Sequence, residues 1–133
     1  MRNRYTSPDG EYGRDTVTGE PKTDAVIILT TAPASLAPEI ARALVDKRLV
    51  ACVNIVDVRS IYRWEGAVCD EPEQLLVAKT VQDRADAAIA EIRTLHRYEL
   101  PEMIVLPVTG GYLPYLAWIA GETGQVPPGS GST

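Results

Sequence analysis

The stretch LHRYELPEMIVLPV, residues 95–108, gathers the chain's only histidine, a tyrosine, two glutamates and two prolines ahead of an apolar run. His96, Glu99 and Glu102 recur at intervals of three. Imidazole and carboxylate together can hold a divalent ion such as zinc or copper(II). With Cys52 added from a distant strand, His96 and Glu99 form the candidate metal set. One imidazole among scattered acids is weak spacing evidence, however. The plainer account is that His96 caps the last carbonyls of its helix and the glutamates make hydrogen bonds or ion pairs.

Lys79 stands inside the apolar run VAKT. An ammonium there is costly unless it is paired. Glu73, Glu99 or Glu102 could pair with it, from the same or a neighbouring subunit. Such a lysine either serves an anion-binding or charge-relay cleft, or closes a structural ion pair. Cys52 reads as a small buried hydrophobe, or as a thiolate if a cation lies beside it. Tyr98, Glu73 and Glu102 complete the candidate ligand cleft around Lys79.

These residues need a scaffold, and the apolar pattern supplies one. Strands are expected at Asp24–Thr31, Leu49–Trp64, Gly66–Thr80 and Met103–Val108. Helical spacing marks Ala34–Arg48, with Pro38 tolerated in its first turn, and Asp83–His96. Pro114 opens a short last helix that Gly121 or Gly124 could end. The order βαββαβ plus a terminal helix is an α+β, ferredoxin-like antiparallel sheet.

A two-residue turn at Glu65-Gly66 fixes the register of the second and third strands. It puts Cys52 opposite Lys79 and Cys69 opposite Tyr62, so the two thiols cannot meet. It also sorts the side chains by face. Val53, Ile55, Leu76 and Ala78 share one face; Cys52, Val56, Val58, Leu75 and Val77 share the other. Two helices can cover only one face, and a monomer would show polar residues on the open one. Both faces are apolar here. Self-association is the simplest cover. Tyr62 and Trp64 near the hairpin tip, and Trp118 on the last helix, are the expected interface aromatics.

Composition narrows the function. The 133 residues are 45% hydrophobic and 23% charged, with a net charge of -5 and no phenylalanine. That is one soluble domain with a Val/Ile/Leu/Ala core. The acidic balance excludes a phosphate-driven nucleic-acid binder. Apolar runs are strand-length, too short for a membrane span. The N-terminus lacks the apolar core of a secretory signal, which predicts a cytoplasmic protein. Residues 1–23 carry four acids and four bases with scattered Pro and Gly, and residues 124–133 are rich in Pro, Gly and Ser. Both are expected to be disordered, which leaves 24–123 as the folded domain. No phosphate-loop motif or nucleophile elbow occurs. The segment LTTAPASLA lacks the arginine of an acylphosphatase loop. The first and third strands lack the base-stacking aromatics of an RNA-recognition module. The expectation is a protein that is not an enzyme.

ACVNI, SIYRWEG, EPEQLLVAKT, HRYELPE, LPVTGG and YLAWI follow one another in the chain. In that order they resemble the CutA family of divalent-ion tolerance proteins, from about Asp24 to Glu122. The resemblance implies a ferredoxin-like subunit in a tight homotrimer, PII-like in architecture, with a link to copper and other divalent metals. The chain departs from the family pattern in several places. Arg97 follows His96 where proline is usual, and Thr30 stands where some members proposed to bind copper carry cysteine. Leu95-His96 replaces a histidine pair, and Gly110 replaces another histidine. His96 is left as the sole imidazole. The resulting expectation is a homotrimer that weakly binds Cu(II), another divalent cation or a small ligand at clefts between subunits. The alternatives are a PII-like signalling module that binds a small anion through Lys79, and a structural trimer with no ligand.

Overall fold

The computed structural model describes residues 16, 17 and 23–124. In chain order the elements are β1 (Thr16–Val17), β2 (Ala25–Ala32), α1 (Ala37–Asp46), β3 (Cys52–Trp64), β4 (Ala67–Val81), α2 (Gln82–Leu95), β5 (Met103–Pro107), β6 (Gly111–Tyr112) and α3 (Leu113–Thr123). The main sheet runs β3-β4-β2-β5 and is antiparallel throughout. This is the expected α+β, ferredoxin-like arrangement. A second, two-stranded sheet pairs β1 with β6. Apart from Thr16, Val17 and Thr23, the expected disorder of 1–23 lies outside the described residues, as does that of 125–133.

The element ends differ from the sequence expectation for local reasons. Helix α1 begins at Ala37 rather than Ala34, because the Leu36 and Ala37 amides first close a turn onto the Pro33 carbonyl. It stops before Arg48, whose φ of 58° breaks the helix. Strand β3 therefore begins at Cys52 rather than Leu49: the amides of Leu49 and Val50 return to the Leu44 carbonyl instead of joining the sheet. At the other end of the chain α3 runs on past Gly121 and stops before Gly124. Its terminal carbonyls are met by arginines from two other helix ends. Arg48 donates to the carbonyls of Gly124 and Gly121, each at 3.0 Å, and Arg84 to that of Thr123 at 2.6 Å.

Alternation along the strands divides the sheet into two faces. Val26, Ile28, Leu76 and Ala78 turn toward α1 and α2 and join Leu36, Ile40, Leu44, Ala85, Ala88 and Ile92 in the core. Leu76, Ile28 and Ile92 are fully buried. The opposite face carries Ile27, Leu29, Val56, Leu75, Val77, Ile104 and Leu106. Val56 there is 49% exposed, Ile104 47% and Leu106 42%.

The β3–β4 hairpin continues past the sheet. β2 pairs with β4 only from Gln74 onward, so Val58–Trp64 and Ala67–Glu73 form a free two-stranded ribbon. Glu65 and Gly66 close it with φ values of 49° and 83°, the tight turn whose twist matches the flanking strands. A two-stranded ribbon is marginal by itself in water. This one also exposes Ile61 and Val68 at its tip.

Candidate functional site

The connector between α2 and β5 comes back toward the base of the ribbon and leaves a cleft of about 790 Å³. Tyr62, Trp64, Glu71 and Glu73 line it from the hairpin, and Arg97, Tyr98, Glu99 and Glu102 from the connector. Six of the residues singled out in the sequence (Tyr62, Trp64, Glu73, Tyr98, Glu99 and Glu102) therefore meet in one place.

Two tyrosine–glutamate pairs shape the cleft. The Tyr98 hydroxyl donates to Glu73 Oε2 at 2.7 Å, and the Tyr62 hydroxyl donates to Glu71. The sheet alternation explains the second pair. Tyr62 faces Cys69, so Glu71 is its diagonal neighbour on the same face, and Glu73 follows two residues on. Both phenols are held in the protonated form. For Tyr98 burial is the larger cause and the Glu73 hydrogen bond the second. For Tyr62 the Glu71 hydrogen bond leads, and the hydroxyl is pushed up to about 12. On the ribbon's other face Arg59 grips Asp70 through two bonds of 2.8 and 2.7 Å. That bond holds the Asp70 carboxyl below its ordinary range.

His96 lies beneath the cleft. It is 6% exposed, and both ring nitrogens are used. Nδ1 accepts the Tyr98 amide at 3.2 Å, and Nε2 sits 2.7 Å from the Thr31 carbonyl. A carbonyl can only accept, so Nε2 carries the proton and the ring is the neutral Nε2–H tautomer. Helix capping is done instead by the His96 backbone amide, which donates to the Ile92 carbonyl.

Cys52 and Lys79 are placed elsewhere. They face one another across β3 and β4 as the register predicts, with Nζ 3.9 Å from Sγ. Lys79 is six residues along β4 from Glu73, about 20 Å at the usual strand rise. Within one chain neither residue reaches the cleft, and Lys79 has no carboxylate partner among the described residues. His96, Glu99 and Cys52 do not converge. Among the described residues no group of three or more His, Cys, Asp or Glu side chains could hold a metal ion. Thr30 is fully buried, with its hydroxyl unpartnered. The described residues of this chain do not by themselves fit a divalent-ion chelate.

The sequence reading missed Glu71, Arg63 and Arg97 as cleft residues. Glu71 was within reach, because the same register that pairs Tyr62 with Cys69 puts it on the same face. The guanidiniums of Arg63 and Arg97 left no local signal. Of the expected interface aromatics, Tyr62 and Trp118 are 40% and 43% exposed, and Trp118 stacks on Tyr115 at 5.5 Å.

Comparison with known proteins fixes the kinship. The family model described as CutA1 divalent ion tolerance protein matches residues 25–122, which is most of the chain. The chain belongs to that family. It is 40% identical over 102 residues to the divalent-cation tolerance protein CutA of Thermus thermophilus, covering 76% of this chain and 99% of that relative. It is 38% identical over 121 residues to human protein CutA, covering 90% of this chain and 66% of the human protein. Among solved structures, the apo PII-like protein CutA of a Nostoc species superimposes with a TM-score of 0.71 at 39% identity, covering 74% of this chain and 97% of that one. CutA of Xylella fastidiosa does so with a TM-score of 0.75 at 38% identity, covering 77% and 100%. This CutA chain thus shares the PII-like fold of its relatives. No helix among its described residues is long and apolar enough to cross a membrane.

Proposed function

We propose that this CutA chain acts as a non-enzymatic homotrimer, in the cytoplasm, that takes a small ligand or a weakly held divalent cation in clefts between subunits. One observation carries the reading. The 790 Å³ cleft opens beside a free hairpin ribbon and a sheet face whose Val56, Ile104 and Leu106 are left to solvent by the chain's own helices. A neighbouring subunit that covers this face also walls the cleft. The family's link to divalent ions supports the cation. Glu99 and Glu102, which are exposed and form no ion pair among the described residues, are the free carboxylates for it. Donors from a second subunit would have to complete the set, since the described residues of one chain hold no chelate.

A second reading is favoured by a specific feature. Arg63 and Arg97, both exposed, are among the residues that line the same cleft. That is the equipment for a small anion, as in a PII-like signalling module. The anion would be met by these arginines rather than by Lys79.

Titration calorimetry on the purified chain with Cu(II), Zn(II) and a nucleotide panel tests both readings. Saturable cation binding that is lost in Glu99→Gln with Glu102→Gln supports the first. Anion binding lost in Arg63→Ala or Arg97→Ala supports the second. No saturable heat from any of them would leave a structural trimer as the better account.

A further inference from the structure

We infer that His96 is the positioning residue of the cleft and not a ligand in it. Its imidazole joins three parts of the fold that are far apart in sequence. Nε2–H donates to the Thr31 carbonyl at the end of β2, while Nδ1 accepts the Tyr98 amide in the connector. The Tyr98 ring lies against the imidazole with centroids 4.5 Å apart, and its hydroxyl reaches Glu73 on β4. The chain of contacts runs from β2 through His96 and Tyr98 to the base of the ribbon. An exposed metal-binding histidine keeps one ring nitrogen for the ion; His96 has spent both and is 6% exposed. Coordination would require breaking a buried hydrogen bond and leaving either the Thr31 carbonyl or the Tyr98 amide unpaired, a cost that opposes binding.

The inference rests on the cleft being the ligand site, but it can fail or stand separately. The chain has a single histidine, so a long-range proton–nitrogen spectrum of the histidine-labelled full chain shows one ring. The expected pattern is the neutral Nε2–H tautomer, unchanged when Zn(II) is added. An Nδ1–H tautomer, or a ring-nitrogen shift that saturates with Zn(II), overturns the inference. His96→Gln supplies the second readout, because the glutamine amide can still donate to Thr31. His96→Ala should unfasten Tyr98 and speed hydrogen exchange of its amide, which now donates to Nδ1, and His96→Gln should restore part of the protection. Equal Tyr98 amide exchange in all three proteins overturns the positioning role. If the wild type binds no Zn(II), the cation reading above fails, and the tautomer and the Tyr98 amide exchange still decide the role of His96.

Discussion

Cys52 and Lys79 are direct cross-strand partners, with Sγ 3.9 Å from Nζ and no carboxylate beside the ammonium among the described residues. The pair lies on the apolar face, in line with Val77 and Leu75. Within one chain, Lys79→Met should therefore be neutral or stabilising, since it removes a half-buried charge that has no counter-charge. Denaturant unfolding checks this. A loss above about 2 kcal/mol would mean that a carboxylate from another subunit completes an ion pair there.

The Tyr62 hydroxyl gives a pH signature. A phenol whose pKa rises on folding holds its proton more tightly in the native state, so its contribution to stability is complete below the ordinary value near ~10. It is lost as the pH climbs to about 12. Glu71→Gln removes the leading cause of the shift and should bring the tyrosinate absorbance step back toward ~10. An unchanged step in that variant would show that Glu71 does not hold the hydroxyl.

Gly66 occupies a left-handed position, at φ 83°, with open space where a Cβ would stand. Gly66→Ala should cost about 1 kcal/mol from the backbone alone. Glu65→Gly at φ 49° should return a similar amount. Thermal unfolding of the two variants should move in opposite directions.

Arg48 combines a strained backbone with a useful side chain. Arg48→Ala loses the bonds to the Gly121 and Gly124 carbonyls and keeps a residue with a Cβ at φ 58°. Arg48→Gly loses the same bonds but relieves the backbone, so it should be the more stable of the two by about 1 kcal/mol. Hydrogen exchange in α3 should speed up in both. Unaltered exchange would show that the guanidinium does not hold the end of α3.

Much of this was legible from local patterns. The Glu65-Gly66 turn fixed the hairpin register residue by residue, including Cys52 opposite Lys79 and Cys69 opposite Tyr62. The register then gave the two apolar faces. What could not be read were contacts between distant segments. His96 meets Thr31 across 65 residues, and Arg48 meets Gly124 across 76. No periodicity encodes such pairs; they exist only once the sheet and helices are in place. The helix ends were misplaced for the same kind of reason. Nothing in the run KRLVA announces that Arg48 will turn left-handed and delay β3 to Cys52. The pairing of Thr16–Val17 with Gly111–Tyr112 was likewise hidden, in a segment whose composition reads as disordered.

The central claim is that a second and third copy of this chain cover the face bearing Val56, Ile104 and Leu106 and wall the cleft beside it. Light scattering on the full chain at micromolar concentration tests it directly. The account predicts a particle of about three subunit masses that persists on dilution. A stable particle of one subunit mass would contradict it.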